Sequence, residues 1–451
     1  LSFDFTQLLF FVLWSFVVLG FILWFVNLYL KRKLVTVLST TVLMKIFIPL
    51  ILMYPFAFSK KNIMSTGTTG YRMYINEVNN VFIISLIGIA FFAIGSYVAT
   101  KIKTKHPIMN NFSKAYYSLL NTKTLFMFLI CLVAIFLYMF KIGFSDSFFF
   151  GGRSFAMENT TVRPISNFFY TAGTVFLMLT LTKYYQQKTK ILLFFVLIAL
   201  FMALTQGTRG AVLNSILMFV FMYYNINGKT RKGNFLKFSF TGILLLVIAM
   251  YLGEVRQGVY NFITAMVNSS DKIIYGNNFS DLRDFAWVKS YWDENFLYGK
   301  TIISGLLAFI PSSILTLRSK WGLGIFTVTT IGYDTSVHPG LRPGIFGEAF
   351  FNFGILGVCV AGFMYGFVIN MISRYVQEII NTSTSKKEII YKTSLGYLIS
   401  GLIFNFMITA GFFTVYVNLL ILFIGFVLYA FRKKYNYNRI KKPRKRYRIT
   451  W

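Results

Sequence analysis

Long apolar runs separated by short polar intervals set the rhythm of this 451-residue chain. Runs long enough to cross about 30 Å of hydrocarbon fall near 7–30, 34–56, 80–99, 123–141, 165–184, 190–206, 210–226, 237–253, 344–371, 388–409 and 411–431. The pattern predicts an all-α polytopic membrane protein of about eleven transmembrane helices. One long polar interval, 254–343, interrupts the rhythm. Inside it, KTIISGLLAFIPSS is apolar but too short and too interrupted to span. It predicts short or re-entrant helices, lying at the interface or under protein cover. On this reading the chain divides into an N-terminal transmembrane bundle (1–253, about eight helices), a large loop (254–343), C-terminal transmembrane helices (344–431, about three) and a basic tail (432–451). No internal repeat is evident by eye, so an inverted-repeat transporter has no direct support.

Composition agrees with a membrane chain. Hydrophobic residues make up 56% and charged residues 13%, about half the charged share usual in a soluble domain. A net charge of +31 would suggest nucleic acid in a soluble protein; here it is a statement about topology, and no nucleic-acid partner is expected. Lys31, Arg32 and Lys33, the intervals 101–123, 183–190, 229–237 and 374–387, and the tail RKKYNYNRIKKPRKRYR together hold about 28 of the 45 Lys and Arg. The positive-inside rule makes that side cytoplasmic. Asp4, Glu77, Asp146, Glu158 and the acids between 254 and 334 mark the other side. The alternation places the N-terminus outside, the C-terminus inside and the long loop outside. The tail suits anionic lipid or an acidic partner, or serves only as a topology anchor. Cys131 and Cys359 lie in apolar runs without a CxxC partner, which implies packing rather than a disulfide or zinc framework. The first apolar run has no basic n-region or small-residue cleavage site, so it reads as a retained span.

Candidate chemistry gathers on the outer side. Arg209, in TQGTRGAV, sits in a turn so short that its guanidinium is pinned at the membrane face. Arg is the side chain best suited to grip phosphate bidentately, and Gly207 and Gly210 would let a ligand approach the backbone. An interfacial Arg on lipid headgroups is the plainer alternative. In SDLRDFAWVKSYWDENFLYGKT, Asp281, Arg283 and Asp284 lie beside Trp287, Tyr291 and Trp292. Aromatic faces with carboxylates suit sugar rings and their hydroxyls; the alternative is a surface helix with local ion pairs. The first outer loop carries no clean Asp-x-Asp, so a metal-free site is expected. His106 sits in a basic cytoplasmic interval and reads as structural.

The densest stretch is DTSVHPGLRPGIFGEAFFNFGILG. Two Pro-Gly pairs stiffen a turn around His338 and Arg342, and the ordinary pKa of His makes His338 a candidate general base. Glu348 opens the next apolar run, where an ionised carboxylate must face protein or a wet cavity. Asn352, four residues on, shares its helical face. Gly344, Gly347, Gly354 and Gly357 are expected to allow close helix approach. Lys45, in the middle of the second apolar run, is a further intramembrane charge, either structural or functional.

With QGTRG between two spans, a large outer loop, and then RPGIFGEAFFNFGILG, the chain resembles the Wzy-type polymerases of O-antigen and capsule repeat units. The resemblance is most specific over 207–210 and 342–357; elsewhere it rests on architecture. It implies a polytopic glycosyltransferase of the GT-C type in a bacterial cytoplasmic (inner) membrane, working on the outer face. Its substrates would be undecaprenyl-pyrophosphate-linked oligosaccharides: the growing glycan leaves its lipid pyrophosphate for the non-reducing end of a new lipid-linked repeat unit. The resemblance further implies metal independence and no cofactor, arginines on the pyrophosphate and a basic residue near the acceptor. Arg209, Arg283 and Arg342 would form that clamp, with Arg256 in reserve, and His338 or Glu348 would activate the acceptor hydroxyl. Asp281, Asp284, Trp287, Tyr291, Trp292 and Asn352 would line the sugar site. Membrane lipids and a chain-length regulator are the further candidate partners. An O-antigen ligase shares the donor and stays open, as do a lipid-linked oligosaccharide flippase and a non-catalytic scaffold.

Overall fold

The computed structural model describes residues 5–31, 36–59, 67–102, 107–142, 162–205, 259–276, 279–310, 314–334, 340–382, 385–407 and 411–441, with scattered positions between 240 and 254. In chain order come α1 (Phe5–Leu30), α2 (Val37–Val42) leading into a π-helical stretch (Leu43–Leu52), α3 (Tyr54–Ala57), α4 (Gly67–Lys101) and α5 (Pro107–Leu119). They are followed by α6 (Thr122–Lys141), α7 (Arg163–Gln187), α8 (Lys190–Thr205), α9 (Phe262–Ile274), α10 (Asp281–Tyr291) and α11 (Lys300–Leu306). The last are α12 (Leu317–Trp321), α13 (Leu323–Thr330), α14 (Gly344–Thr382), α15 (Lys386–Met407) and α16 (Phe412–Lys441). No strand occurs among the described residues.

Six of these helices, α1, α4, α6, α7, α14 and α16, are long and apolar enough to cross a membrane. The chain is an all-helical, membrane-embedded protein. Helix α1 has no fully buried side chain, as befits a span apolar on every side, and Phe21, Trp24 and Phe25 pack partly buried against Val42, Ile46 and Phe92. Eleven spans are expected from the sequence, and among the described residues six meet the test of length and composition. Val37–Leu52 and Lys190–Met202 are shorter apolar helices. Helix α15 covers an expected span but opens on Lys386, Lys387 and Glu388. The run 210–226 lies outside the described residues, and 237–253 is described only at scattered positions.

The basic interval 101–123, expected as a loop, is largely helix α5. Positions 112, 115, 116 and 119 keep the i, i+3, i+4, i+7 spacing of a helix face. Ala115, Tyr116 and Leu119 are buried, whereas Ile108 and Tyr117 are exposed.

The chain forms two compact units. One comprises Leu1–Thr104, Ile216–Thr384 and Gly396–Tyr416; the other Lys105–Ser215, Ser385–Leu395 and Val417–Trp451. In the second, α7 packs on α6 and α8. There the hydroxyls of Tyr116 and Thr182 each bond the Ser394 hydroxyl, at 2.6 and 2.8 Å. Hydroxyls without water must find such partners.

The first unit is built on α4 and α14, which meet backbone to backbone. A Cβ added at Gly95 would collide with the Phe363 carbonyl, one at Gly366 with the Phe92 carbonyl, and one at Gly362 with that of Gly88. Small residues are what allow helices to approach this closely in lipid. Farther along α14, Asn370 Nδ2 donates to the Ser96 carbonyl at 2.6 Å. The Arg374 guanidinium then donates to the carbonyls of Ala99 and Ile102. Carbonyls at the end of α4 lack intrahelical partners, so Arg374 closes that end.

Of the glycines expected to bring helices together, Gly344 and Gly347 stand where α10 comes close to the start of α14, through Asp281 and Phe285. Gly344 and Gly354 hold positive φ, 71° and 62°, and serve turns. At Phe353 and Gly354 helix α14 kinks, with Gly354 at φ 62°, ψ −152°, a conformation essentially reserved for glycine. Gly347 makes room for Phe285, and a Cβ at Gly357 would strike the Ala349 carbonyl of its own helix.

Gly366→Val should overpack the crossing and cost about 1–3 kcal/mol, read as a lower unfolding midpoint in detergent. Gly20→Val is the control, because nothing lies within 4 Å of a Cβ placed there. Equal midpoints for the two variants would refute the backbone contact.

Candidate functional site

Helix α10 is short, polar at its start and almost wholly covered. Leu282, Phe285, Ala286 and Val288 are fully buried, and the helix packs on α3, the π-helical stretch, α4, α13 and α14. Charges carried into such a position need partners inside the protein.

Arg283 and Asp284 find them in each other. Asp284 Oδ1 accepts from Arg283 Nε and Nη2 at 2.9 and 2.7 Å. Its Oδ2 accepts from Ser280 Oγ at 2.8 Å and from the Arg342 backbone N–H at 3.0 Å. Arg283 Nη1 donates to the Tyr275 carbonyl at 2.7 Å. This is a structural lock, which ties the end of α9 to α10 and to the segment before α14. Arg283, expected in a phosphate clamp, is held by Asp284, and Asp284, expected on a sugar, is held by four donors.

A second lock fixes α14. Asn352 is fully buried. Its Oδ1 accepts from the Gly299 N–H at 2.9 Å, while Nδ2 donates to Thr301 Oγ1 at 2.7 Å and to the Glu348 carbonyl at 2.8 Å. Thr301 in turn donates to Glu348 Oε1 at 2.9 Å. The kink at 353–354 interrupts the helical ladder, and the backbone N–H groups of Leu297 and Tyr298 bond the carbonyls of Phe351 and Asn352, at 2.9 and 3.1 Å. Such freed carbonyls require outside donors. Glu348 is 3% exposed. It and Asn352 share a face, as the spacing predicts, and that face clips the 297–301 segment to the membrane helix.

The expected aromatic platform is mostly core. Trp287 is buried, edge-on to Tyr333. Trp292, half-buried, meets Phe296, Phe350 and Phe351 edge-on, and its indole N–H donates to the Asn295 carbonyl at 3.2 Å. Tyr291 is half-buried. Lys289 Nζ, unremarked in the sequence, pairs with Glu77 at 2.7 Å and ties α10 to α4; no local motif announces it.

What remains is a group of three charges. Asp281 opens α10 beside the turn at Gly344, where an added Cβ would come within 3.2 Å of Oδ2. Lys45 projects from the π-helical stretch and Arg342 from the segment before α14; both are within electrostatic reach of Asp281. Burial pushes the Asp281 carboxyl up to about 6; Lys45 pulls the other way, Asp284 adds to the rise and Arg342 opposes it. Lys45 is surrounded by protein yet solvent-accessible, and Arg342 is exposed. Two cations thus lie within electrostatic reach of one carboxylate. Irregular π-helical turns occur often at functional sites, and an intramembrane Lys is kept only where it has work or a partner. Of the remaining expected site residues, His338, Arg209 and Arg256 lie outside the described residues.

Comparison of the chain with protein-family models, with curated proteins and with solved structures finds no match in any of the three.

The raised Asp281 pKa fixes a sign. An unfolded aspartate titrates near 3.8 and the folded one near 6. As pH rises between those values the unfolded chain gives up its proton first, so the folded protein loses stability, and the deficit is complete above 6. Asp281→Asn should therefore be more stable than the wild type at pH 7.5, by on the order of 1–2 kcal/mol. The gap should close by about pH 4, as read by thermal unfolding in detergent. A variant less stable at pH 7.5 would instead make Asp281 a stabilising ion-pair partner.

Proposed function

We propose that this chain is a glycosyltransferase of bacterial polysaccharide assembly. It transfers a growing glycan from undecaprenyl pyrophosphate to the non-reducing end of a lipid-linked repeat unit. The observation that carries the reading is the group of Lys45, Arg342 and Asp281, charges within electrostatic reach of one another. It joins a cation from an apolar membrane helix to one from a polar segment, which suits a donor with a lipid tail, a pyrophosphate and a sugar. The resemblance of RPGIFGEAFFNFGILG to Wzy-type polymerases supports it independently. In this reading the protein lies in the cytoplasmic membrane with its N-terminus outside, and these three charges lie toward the outer face.

The chemistry is a displacement at the anomeric carbon. The acceptor hydroxyl oxygen forms the new C–O bond, and the bond to pyrophosphate breaks with its electron pair going to the leaving oxygen. Arg342 and Lys45 stabilise that developing charge, since preorganised cations act most strongly where charge grows in the transition state. Arg209 and Arg256 complete the clamp. His338, four residues before Arg342 in the chain, accepts the acceptor's proton. Glu348, held by Thr301, positions the 297–301 segment rather than taking the proton. Arg283 supports Arg342 through Asp284 instead of touching phosphate.

The test is reconstitution of the chain into liposomes with undecaprenyl-pyrophosphate repeat units, followed on gels. A ladder of products is expected. Arg342→Ala should lower the rate by about 10²–10³-fold while the protein still inserts. A single transfer product without a ladder identifies a ligase, and no product from the wild type sinks the reading.

A further inference from the structure

We propose that α9 is an interfacial anchor: its outward face, carrying Phe262, Ile263 and Val267, beds in the lipid leaflet at the Glu254 end of the 237–253 run. The proposal names the partner of this surface and rests on no transfer reaction.

The 237–253 run supplies the frame. Its described positions include Phe240, Ile243, Leu244, Met250 and Tyr251, all helical, as is Glu254, and their spacing puts them on one face. Phe240, Ile243 and Leu244 are exposed on that face, as side chains that meet hydrocarbon are. Toward Glu254 the same face is covered by α9. Ser269 Oγ donates to the Met250 carbonyl at 3.1 Å, with Glu254 Oε1 a further acceptor at 3.3 Å. The Tyr251 hydroxyl donates to the Tyr260 carbonyl at 3.1 Å, and its ring lies 5.7 Å from that of Phe262. Helix α9 therefore sits where lipid would otherwise reach the end of the run, about 10 Å along the axis from Leu244.

The surface of α9 divides in three. Ala265 and Ser269 are fully buried, on the side turned to the run. Ile263 and Val267 lie on the opposite side, 74% and 59% exposed, with Phe262 exposed on one edge. Thr264 and Asp271, also exposed, occupy the other edge. A helix with protein on one side, apolar side chains on the second and polar groups on the third fits the boundary between hydrocarbon and water. Tyr260, exposed just before the helix, is an amphipathic ring suited to that depth. A stripe of so few side chains is smaller than the about 800 Å² per partner that a stable protein interface buries, and it continues a face already turned to lipid.

The anchor is tied at both ends. Asn261 Oδ1 accepts from the Thr264 N–H at 3.1 Å and caps its start, satisfying one of the donors that open a helix. At its other end the Tyr275 carbonyl accepts from Arg283 Nη1 at 2.7 Å, and the Tyr275 ring meets Phe56 edge-on. Lipid thus moors the beginning of the long polar segment, and through Tyr275 the Arg283–Asp284 lock of α10 is moored with it.

The experiment is fluorescence quenching of the full chain in phospholipid nanodiscs. With Cys131→Ala and Cys359→Ala as background, an environment-sensitive fluorophore is attached at Val267→Cys on the apolar side or at Thr264→Cys on the polar edge. The Val267 label should emit to the blue of the Thr264 label and be shielded from aqueous iodide. Lipid-borne nitroxide should quench it, most strongly when the nitroxide lies about 5–10 Å below the headgroups. The Thr264 label should show the reverse preference. Equal iodide quenching at the two positions puts α9 in water and overturns the proposal. Protection of the Val267 label from both quenchers means that a second copy or another protein covers this face, and overturns it as well. Ile263→Cys, on the same exposed side, gives an independent reading should the Val267→Cys protein not assemble.

Discussion

Helices α4 and α14 touch through their backbones, and the geometry of the first unit follows from that contact. Lipid tails are as apolar as leucine, so no hydrophobic drive pulls two spans together. The pair is held by dispersion over a close approach at Gly88, Gly95, Gly362 and Gly366, and by the polar bonds of Asn370 and Arg374 to the carbonyls of Ser96 and Ala99 on α4. The start of α14 is thereby fixed against α4, and α10 is fixed to both, to α4 through Lys289 and Glu77. A charged site needs its members placed to within a fraction of an ångström. Rigid spans supply that better than a loop could.

The kink in α14 extends this rigidity into the polar segment. A straight helix would keep the carbonyls of Phe351 and Asn352 for its own ladder. Broken at Gly354, it offers them to Leu297 and Tyr298, while the Asn352 amide fills the remaining positions on Gly299 and Thr301. The 297–301 segment is thus bonded to a membrane helix as closely as one strand to another. The Arg283–Asp284 lock does the same at the other end, where it reaches the backbone before Gly344.

The apolar runs made the membrane class and most helices legible, because hydrocarbon leaves the backbone few options. Helix α5 was not legible as one: its Lys and Asn residues masked an apolar face that a count at helical spacing would have found. Glu348 and Asn352 could be placed on one face from their spacing, but Thr301, their common partner, is distant in sequence and unmarked. Glycines carry no side chain to betray their use, so the turn at Gly344 and the contact at Gly366 look alike in a sequence. Arg283 and Arg342 were equally ambiguous. Each lies among polar residues at a membrane boundary, and only burial separates a guanidinium held by a carboxylate from one that remains exposed. Lys45 was conspicuous as an intramembrane charge, yet its neighbour Asp281 could be found only in three dimensions.

The contrast between the two aspartates of α10 argues for where function lies. Asp284 accepts four hydrogen bonds, and a carboxylate so satisfied is a fixed part of the structure. Asp281, three residues earlier, is covered enough for its ionised form to be disfavoured. A fold under selection for stability alone would exchange such a group for a neutral one, and would not set an intramembrane Lys opposite it. Conflicts of this kind persist where a site requires them. The lock and the group of three charges also share a residue. Asp284 holds Arg342 by its backbone N–H and leaves the guanidinium exposed, so the bonded aspartate keeps a cation within electrostatic reach of Asp281.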